Sequence, residues 1–195
     1  MEYWLEKDTL IIEGPFNALS SGLLGGWRDV EHIFNHTVVE HFDRLDPVEY
    51  LKEVAERFEL KSYFGLLTSV PIDKLSIVKS GEITAFVTAG VKNPNVEIKV
   101  GETRTGSRTG TINIILVVEA DLSDGGMVNA VITATEAKSA ALLELGHNFT
   151  GTNTDAVVVA RTGGEYYEYA GPASEIGSKI WEAVKKGVKE SLAKW

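Results

Sequence analysis

Apolar positions follow two rhythms along this chain, and the places where one gives way to the other lay out its elements. Short strand-like runs open it at residues 3–5 and 9–13, the second stopped by Gly14-Pro15, and a glycine-rich turn follows over residues 20–26. A period of two then runs from Trp27 to Phe42 and sets His32, Phe34, His36, Val38 and Phe42 on one side of a strand. At Asp46-Pro47-Val48-Glu49 the rhythm becomes helical. Asp46 suits the N-cap, Pro47 the first helical position and Glu49 the capping-box position, ahead of Val48, Leu51, Val54, Ala55 and Phe58 at helical spacing. Strand character returns over residues 64–68, 75–79 and 83–89, and a polar stretch covers residues 93–110.

The second half is plainer. Residues 112–118 and 156–160 are continuous apolar runs, the signature of strands covered on both faces. Between them, residues 127–145 predict a helix entered through Asp124-Gly125-Gly126 and closed by Gly146. Strand, helix and strand at this spacing make a βαβ unit around residues 111–161, with its two strands parallel. A last helix over residues 173–194 carries Ile176, Ile180, Val184, Val188 and Leu192 at steps of four, with Lys185, Lys186, Lys189 and Lys194 toward its C-terminus. The expected class is α/β: one domain over residues 1–195, a mixed β-sheet with packed helices.

Composition narrows the chemistry more than the fold. Among 195 residues, 19 Lys+Arg face 28 Asp+Glu, and the formal charge of −9 disfavours nucleic acid or an anionic membrane as partner. Cysteine is absent, which removes disulfides, thiolate metal sites and cysteine nucleophiles together. The N-terminal Met1-Glu2-Tyr3-Trp4 lacks the basic-then-apolar plan of a secretory signal. The apolar runs fall far short of the roughly 20 residues that span a bilayer. A cytoplasmic protein without a membrane partner is expected, and its oligomeric state is not written in the pattern.

A few residues resist the ordinary reading. On a wheel of about 100° per residue, Lys138 falls inside the apolar arc of Met127, Ala130, Ala134, Ala137, Ala141 and Leu142, while Glu136 points to nearly the opposite side. Either Lys138 snorkels past its neighbours and Glu136 is solvated, or the two line a cleft. The segment Thr150-Gly151-Thr152-Asn153-Thr154-Asp155 is either an ordinary polar connection or a ligand loop, and Gly110-Thr111-Ile112-Asn113 and Thr88-Ala89-Gly90 pose the same choice. None is a phosphate-loop or dinucleotide fingerprint. His32 and His36 would share one face of a helix, but on a strand they stand roughly 13 Å apart, so no metal site is expected. Residues 22–26 are a flexible turn or an anion cradle. Lys92, Lys99, Arg104 and Arg108 make a locally basic loop, either solvated or a lid over an anionic ligand.

Taken in order, these stretches resemble the adenosylcobinamide amidohydrolase (CbiZ) family. The resemblance rests on Gly110-Thr111-Ile112-Asn113-Ile114, on Thr135-Glu136-Ala137-Lys138, and on Thr150 through Ala156. It extends upstream to Ser20-Ser21 with Gly25-Gly26, Ile33-Phe34-Asn35-His36-Thr37-Val38, Gly65-Leu66-Leu67-Thr68, and Val87-Thr88-Ala89-Gly90 with Asn93. Tyr169-Ala170-Gly171 with Gly177 closes it, and in all it covers residues 14–190. The family pattern carries Asn before the paired glycines, where this chain has Leu24, and a small residue where Asn153 stands.

The resemblance implies hydrolysis of adenosylcobinamide to adenosylcobyric acid and 1-amino-2-propanol, a salvage step toward coenzyme B12. It requires no added cofactor, since the corrinoid cobalt belongs to the substrate. A non-catalytic corrinoid-binding relative is the alternative. Cleaving an amide needs a nucleophile, oxyanion donors and an acid for the amine. Without cysteine, the nucleophile is activated water or a Ser/Thr hydroxyl. The sequence favours water, with Glu136 or Asp155 as base, Lys138 stabilising the oxyanion or holding a carboxylate, and His36 as proton donor; a covalent intermediate on Thr152 would mark the hydroxyl route. Gly25, Gly26, Asn35, Thr88, Asn93, Gly110, Thr111, Asn113 and Thr152 are the substrate-binding candidates.

Overall fold

The computed structural model describes residues 1–91 and 110–195. Strand β1 (Glu2–Glu6) and strand β2 (Thr9–Ser20) form a hairpin through Lys7 and Asp8, both at positive φ (45° and 61°), as a tight two-residue connection demands. Gly14-Pro15 does not stop β2, as the sequence suggests it should. The ladder to strand β3 (Gly26–Thr37) shifts register between Glu13 and Phe16, so the residue without an N–H falls in a bulge and the strand runs on past it.

The period of two also ends earlier than expected, with β3 closing at Thr37 while Phe42 lies in a 3-10 turn, Phe42–Arg44. Helix α1 (Pro47–Arg57) begins as its sequence dictates, with Asp46 accepting from the Val48 and Glu49 amides. Glu49 pairs with Lys52 at 2.8 Å.

Strands β4 (Tyr63–Thr68), β5 (Ser76–Ser80), β6 (Ile83–Gly90) and β7 (Thr111–Val118) follow, then the two-residue β8 (Asp121–Leu122). Helix α2 (Asp124–Glu144) takes in the expected entry Asp124-Gly125-Gly126 and so starts three residues before Met127, because Ser123 caps it by accepting from Gly126 N at 2.8 Å. Strand β9 (Ala156–Arg161), the short β10 (Tyr166–Tyr167) and helix α3 (Glu175–Ala193) complete the chain. The sheet order is β4-β3-β2-β9-β7-β6-β5, with β1 also paired to β2. Strands β7 and β9 are parallel, so the βαβ unit is present.

The sheet folds over on itself at β2, whose first half pairs with β1 and whose second half pairs with β9. An inner core of Ile12, Phe16, Ile33, Phe64, Phe86, Ile115 and Val158 joins residues from both halves, and Tyr3 of β1 meets Phe86 of β6 edge-on at 5.1 Å. Helices α2 and α3 cover the β5-β6-β7-β9 half from outside, and α1 covers the other half through Ile11, Phe34, Leu51 and Val54. No helix among the described residues is long and apolar enough to cross a membrane.

Candidate functional site

A cleft of about 610 Å³ opens where the two halves of the sheet meet. Leu23, Val38, Val39, Phe42 and Leu66 make one side apolar, and Thr111, Asn113, Asn153, Thr154 and Asp155 make the other polar. The polar side is built where parallel β7 and β9 begin, Asn113 lying opposite Ala156. At that point the loop before β9 must turn tightly and satisfy its own backbone, and Asp155 does this work.

Asp155 Oδ1 accepts from Ile112 N at 2.9 Å and from the Thr152 hydroxyl at 2.6 Å. Its Oδ2 accepts from Thr152 N at 3.0 Å and from Lys138 Nζ at 2.6 Å. Lys138 reaches it from the buried arc of α2, and an added Cβ on Gly151 would stand 2.5 Å from Nζ, so the loop backbone can close over the ammonium only with glycine there. Both side chains are nearly out of solvent, and removing one partner of such a pair costs about 3–5 kcal/mol. Four bonds fill the roughly four lone-pair sites of a carboxylate. In this state Asp155 has no room to bind and deprotonate a water, and Lys138 holds the carboxylate.

Of the other expected catalytic residues, Glu136 is not brought to this cluster. Two residues along a helix turn the side chain by about 200°, and Glu136 borders a separate hollow of about 480 Å³ with Trp181 and Glu182 of α3. His36 does not line the cleft either. Its ring is enclosed between β2 and α1, 3% exposed, with Nδ1 2.7 Å from the Thr9 hydroxyl and Nε2 3.0 Å from the Tyr50 hydroxyl. Burial, helped by the Arg57 charge and opposed by Asp8, lowers its pKa to about 4. With both nitrogens engaged, His36 is a core histidine and not a proton donor to the cleft. Its partner Tyr50 packs edge-on against the cleft-lining Phe42 at 5.4 Å.

The binding candidates divide similarly. Gly110, Thr111 and Asn113 line the cleft, and the Thr111 and Thr154 hydroxyls are 3.0 Å apart. Asn35 and Thr88 lie buried behind Asn113: its Nδ2 donates to Asn35 Oδ1 at 2.9 Å, and Asn35 Nδ2 donates to Thr88 Oγ1 at 2.9 Å. Gly25 and Gly26 answer instead to the β2–β3 turn, since Gly26 has φ +106° and a Cβ on Gly25 would meet Ser20 O at 2.4 Å. Asn93 and the basic loop with Lys92, Lys99, Arg104 and Arg108 lie outside the described residues.

Asp43, in the 3-10 turn beside α1, also lines the cleft and carries no periodic signal that could have marked it. The apolar wall escaped notice for a related reason, since Val38 and Phe42 look like ordinary core positions until the sheet is folded.

The model for adenosylcobinamide amidohydrolase matches residues 3–195. The chain is 45% identical to an adenosylcobinamide amidohydrolase of Methanosarcina mazei, over 98% of each chain. It is 31% identical to one of Halobacterium salinarum, covering 89% of this chain and 79% of that one. It is also 31% identical to an uncharacterized protein of Methanocaldococcus jannaschii, covering 97% and 87%.

Proposed function

The chain belongs to the adenosylcobinamide amidohydrolase family, and from that premise we propose that the cleft between the two sheet halves is where it hydrolyses adenosylcobinamide to adenosylcobyric acid and 1-amino-2-propanol. The carrying observation is the Thr152–Asp155–Lys138 chain at the start of β9, with distances of 2.6 Å at both links. The corrinoid supplies the substrate and its own cobalt, and the reaction belongs to the cytoplasm, where corrinoid salvage would take place.

The geometry favours the hydroxyl route over activated water. Thr152 stands just behind the lining residues Asn153, Thr154 and Asp155 and directs its proton at Asp155 Oδ1, so the scissile amide must reach past that wall to meet its oxygen. As its oxygen attacks the amide carbon, that proton passes to Asp155. The Thr111–Thr154 pair spends one of its two hydroxyl protons between the two oxygens and turns the other toward the developing oxyanion. Asp155 then gives its proton to the departing nitrogen, the C–N bond breaks, and 1-amino-2-propanol leaves an ester on Thr152. Esterified, Thr152 no longer donates to Asp155 Oδ1. The vacated lone pair accepts a proton from water, which attacks the ester, and the proton returns to the Thr152 oxygen as the acid departs. Lys138 keeps Asp155 in place throughout.

Incubation with adenosylcobinamide and mass analysis for both products tests the reaction. Thr152→Ala is expected to lower kcat by a factor of about 10² or more, while Thr152→Ser keeps much of it. Near-normal turnover by Thr152→Ala would return the role to water. Binding of cobinamide without release of the amino alcohol would mark a corrinoid-binding protein instead.

A further inference from the structure

Asn113 Oδ1 is buried and has no hydrogen-bond partner among the described residues, although Asn113 lines the cleft and the residue is 1% exposed. A buried amide oxygen left without a donor is costly, so its place in a ligand cleft calls for a reason. The orientation of the amide is not a free choice. Asn113 Nδ2 lies 3.0 Å from the Leu67 carbonyl, which can only accept, and 2.9 Å from Asn35 Oδ1. Both Nδ2 protons are therefore spent, and Asn35 is fixed in turn because only its Oδ1 can accept from Asn113, which leaves its Nδ2 to donate to the buried Thr88 hydroxyl. Three residues from β3, β6 and β7 hold one oxygen in place as a pure acceptor, with no donor left to offer a ligand.

We infer that Asn113 Oδ1 distinguishes amide from acid in the bound corrinoid: it accepts the N–H of the amide to be cleaved and repels the carboxylate that replaces it. The inference rests on the reading of the cleft as the site of adenosylcobinamide hydrolysis. An amide presents an N–H donor at the position where the product presents only oxygen lone pairs. Facing a fixed acceptor, the first gains a hydrogen bond and the second meets another lone pair. Binding is thus biased toward substrate, and the spent acid is released once the amine has gone.

The test compares KM for adenosylcobinamide with the inhibition constant Ki of adenosylcobyric acid, in the wild type and in Asn113→Ala. KM is expected to rise about tenfold in the variant, the scale of a lost buried hydrogen bond. Ki is expected to stay level or fall, so the Ki/KM ratio drops about tenfold. Asn113→Ser, which disturbs the core less, is expected to give an intermediate ratio and serves where the alanine variant melts early. Parallel rises in KM and Ki would show a merely structural asparagine, and unchanged constants would show one that substrate does not touch; either overturns the inference. If the wild type hydrolyses nothing, the proposed reaction fails, and the dissociation constants of the two corrinoids then decide separately. A wild-type preference for the amide that Asn113→Ala abolishes supports the inference, and equal affinities or no binding overturn it.

Discussion

Leu24 occupies a turn position with φ +50° and is 45% exposed, so it carries backbone strain without much burial in return. Asn tolerates this region better than Leu. Leu24→Asn is expected to raise stability by about 0.5–1 kcal/mol, seen as a higher urea midpoint at unchanged slope. His36 supplies a pH dependence. Its folded pKa of about 4 lies below the ordinary 6.5, so on acidification the unfolded chain takes up the proton first. Stability should therefore decline as pH falls from about 6.5 toward 4, by up to about 3 kcal/mol. His36→Gln, melted across the same range, should show a flatter profile. Lys138 and Glu136 show how far single residues were legible. The wheel alone put Lys138 in the buried arc, but the carboxylate awaiting it sits 17 positions downstream, with nothing local to announce the pairing.

At the scale of elements, local chemistry governs the starts more firmly than the ends. Asp46, Pro47 and the helical spacing after them made α1 legible, and Asp46→Ala, losing two amide-to-carboxylate bonds, is expected to cost about 1 kcal/mol. For a chain of this size that is roughly 2–4 °C in Tm by calorimetry. Helix α2 was harder to bound, because Val128, Ile132 and Leu143 remain exposed opposite its buried arc and blur the amphipathic contrast. Strand β2 misled for a different reason. Gly14-Pro15 is a stop signal by local propensity, yet a bulge absorbs it because strands on both sides of the sheet continue the ladder.

At the scale of the whole molecule, folding the sheet at β2 creates both the inner core and the cleft above it. Phe16 lies 2% exposed in that core, just past the bulge. Phe16→Ala is expected to lower unfolding free energy by about 3–5 kcal/mol by urea titration, with activity falling as the two cleft walls lose their spacing. The sequence by itself determined the α/β class, the βαβ unit, the α1 N-cap, the chemical types available without cysteine and, through ordered short motifs, the family. Those properties depend on periodicity and on neighbours along the chain. Only the tertiary structure decided that Asp155 is saturated and held by Lys138, that His36 and Glu136 stand outside the cleft, and that Asn113 is fixed by Asn35 and Leu67. These relations are set by strand register and by the fold of one half-sheet over the other, and the Lys138–Asp155 and Asn35–Asn113 bonds among them join residues 17 and 78 positions apart.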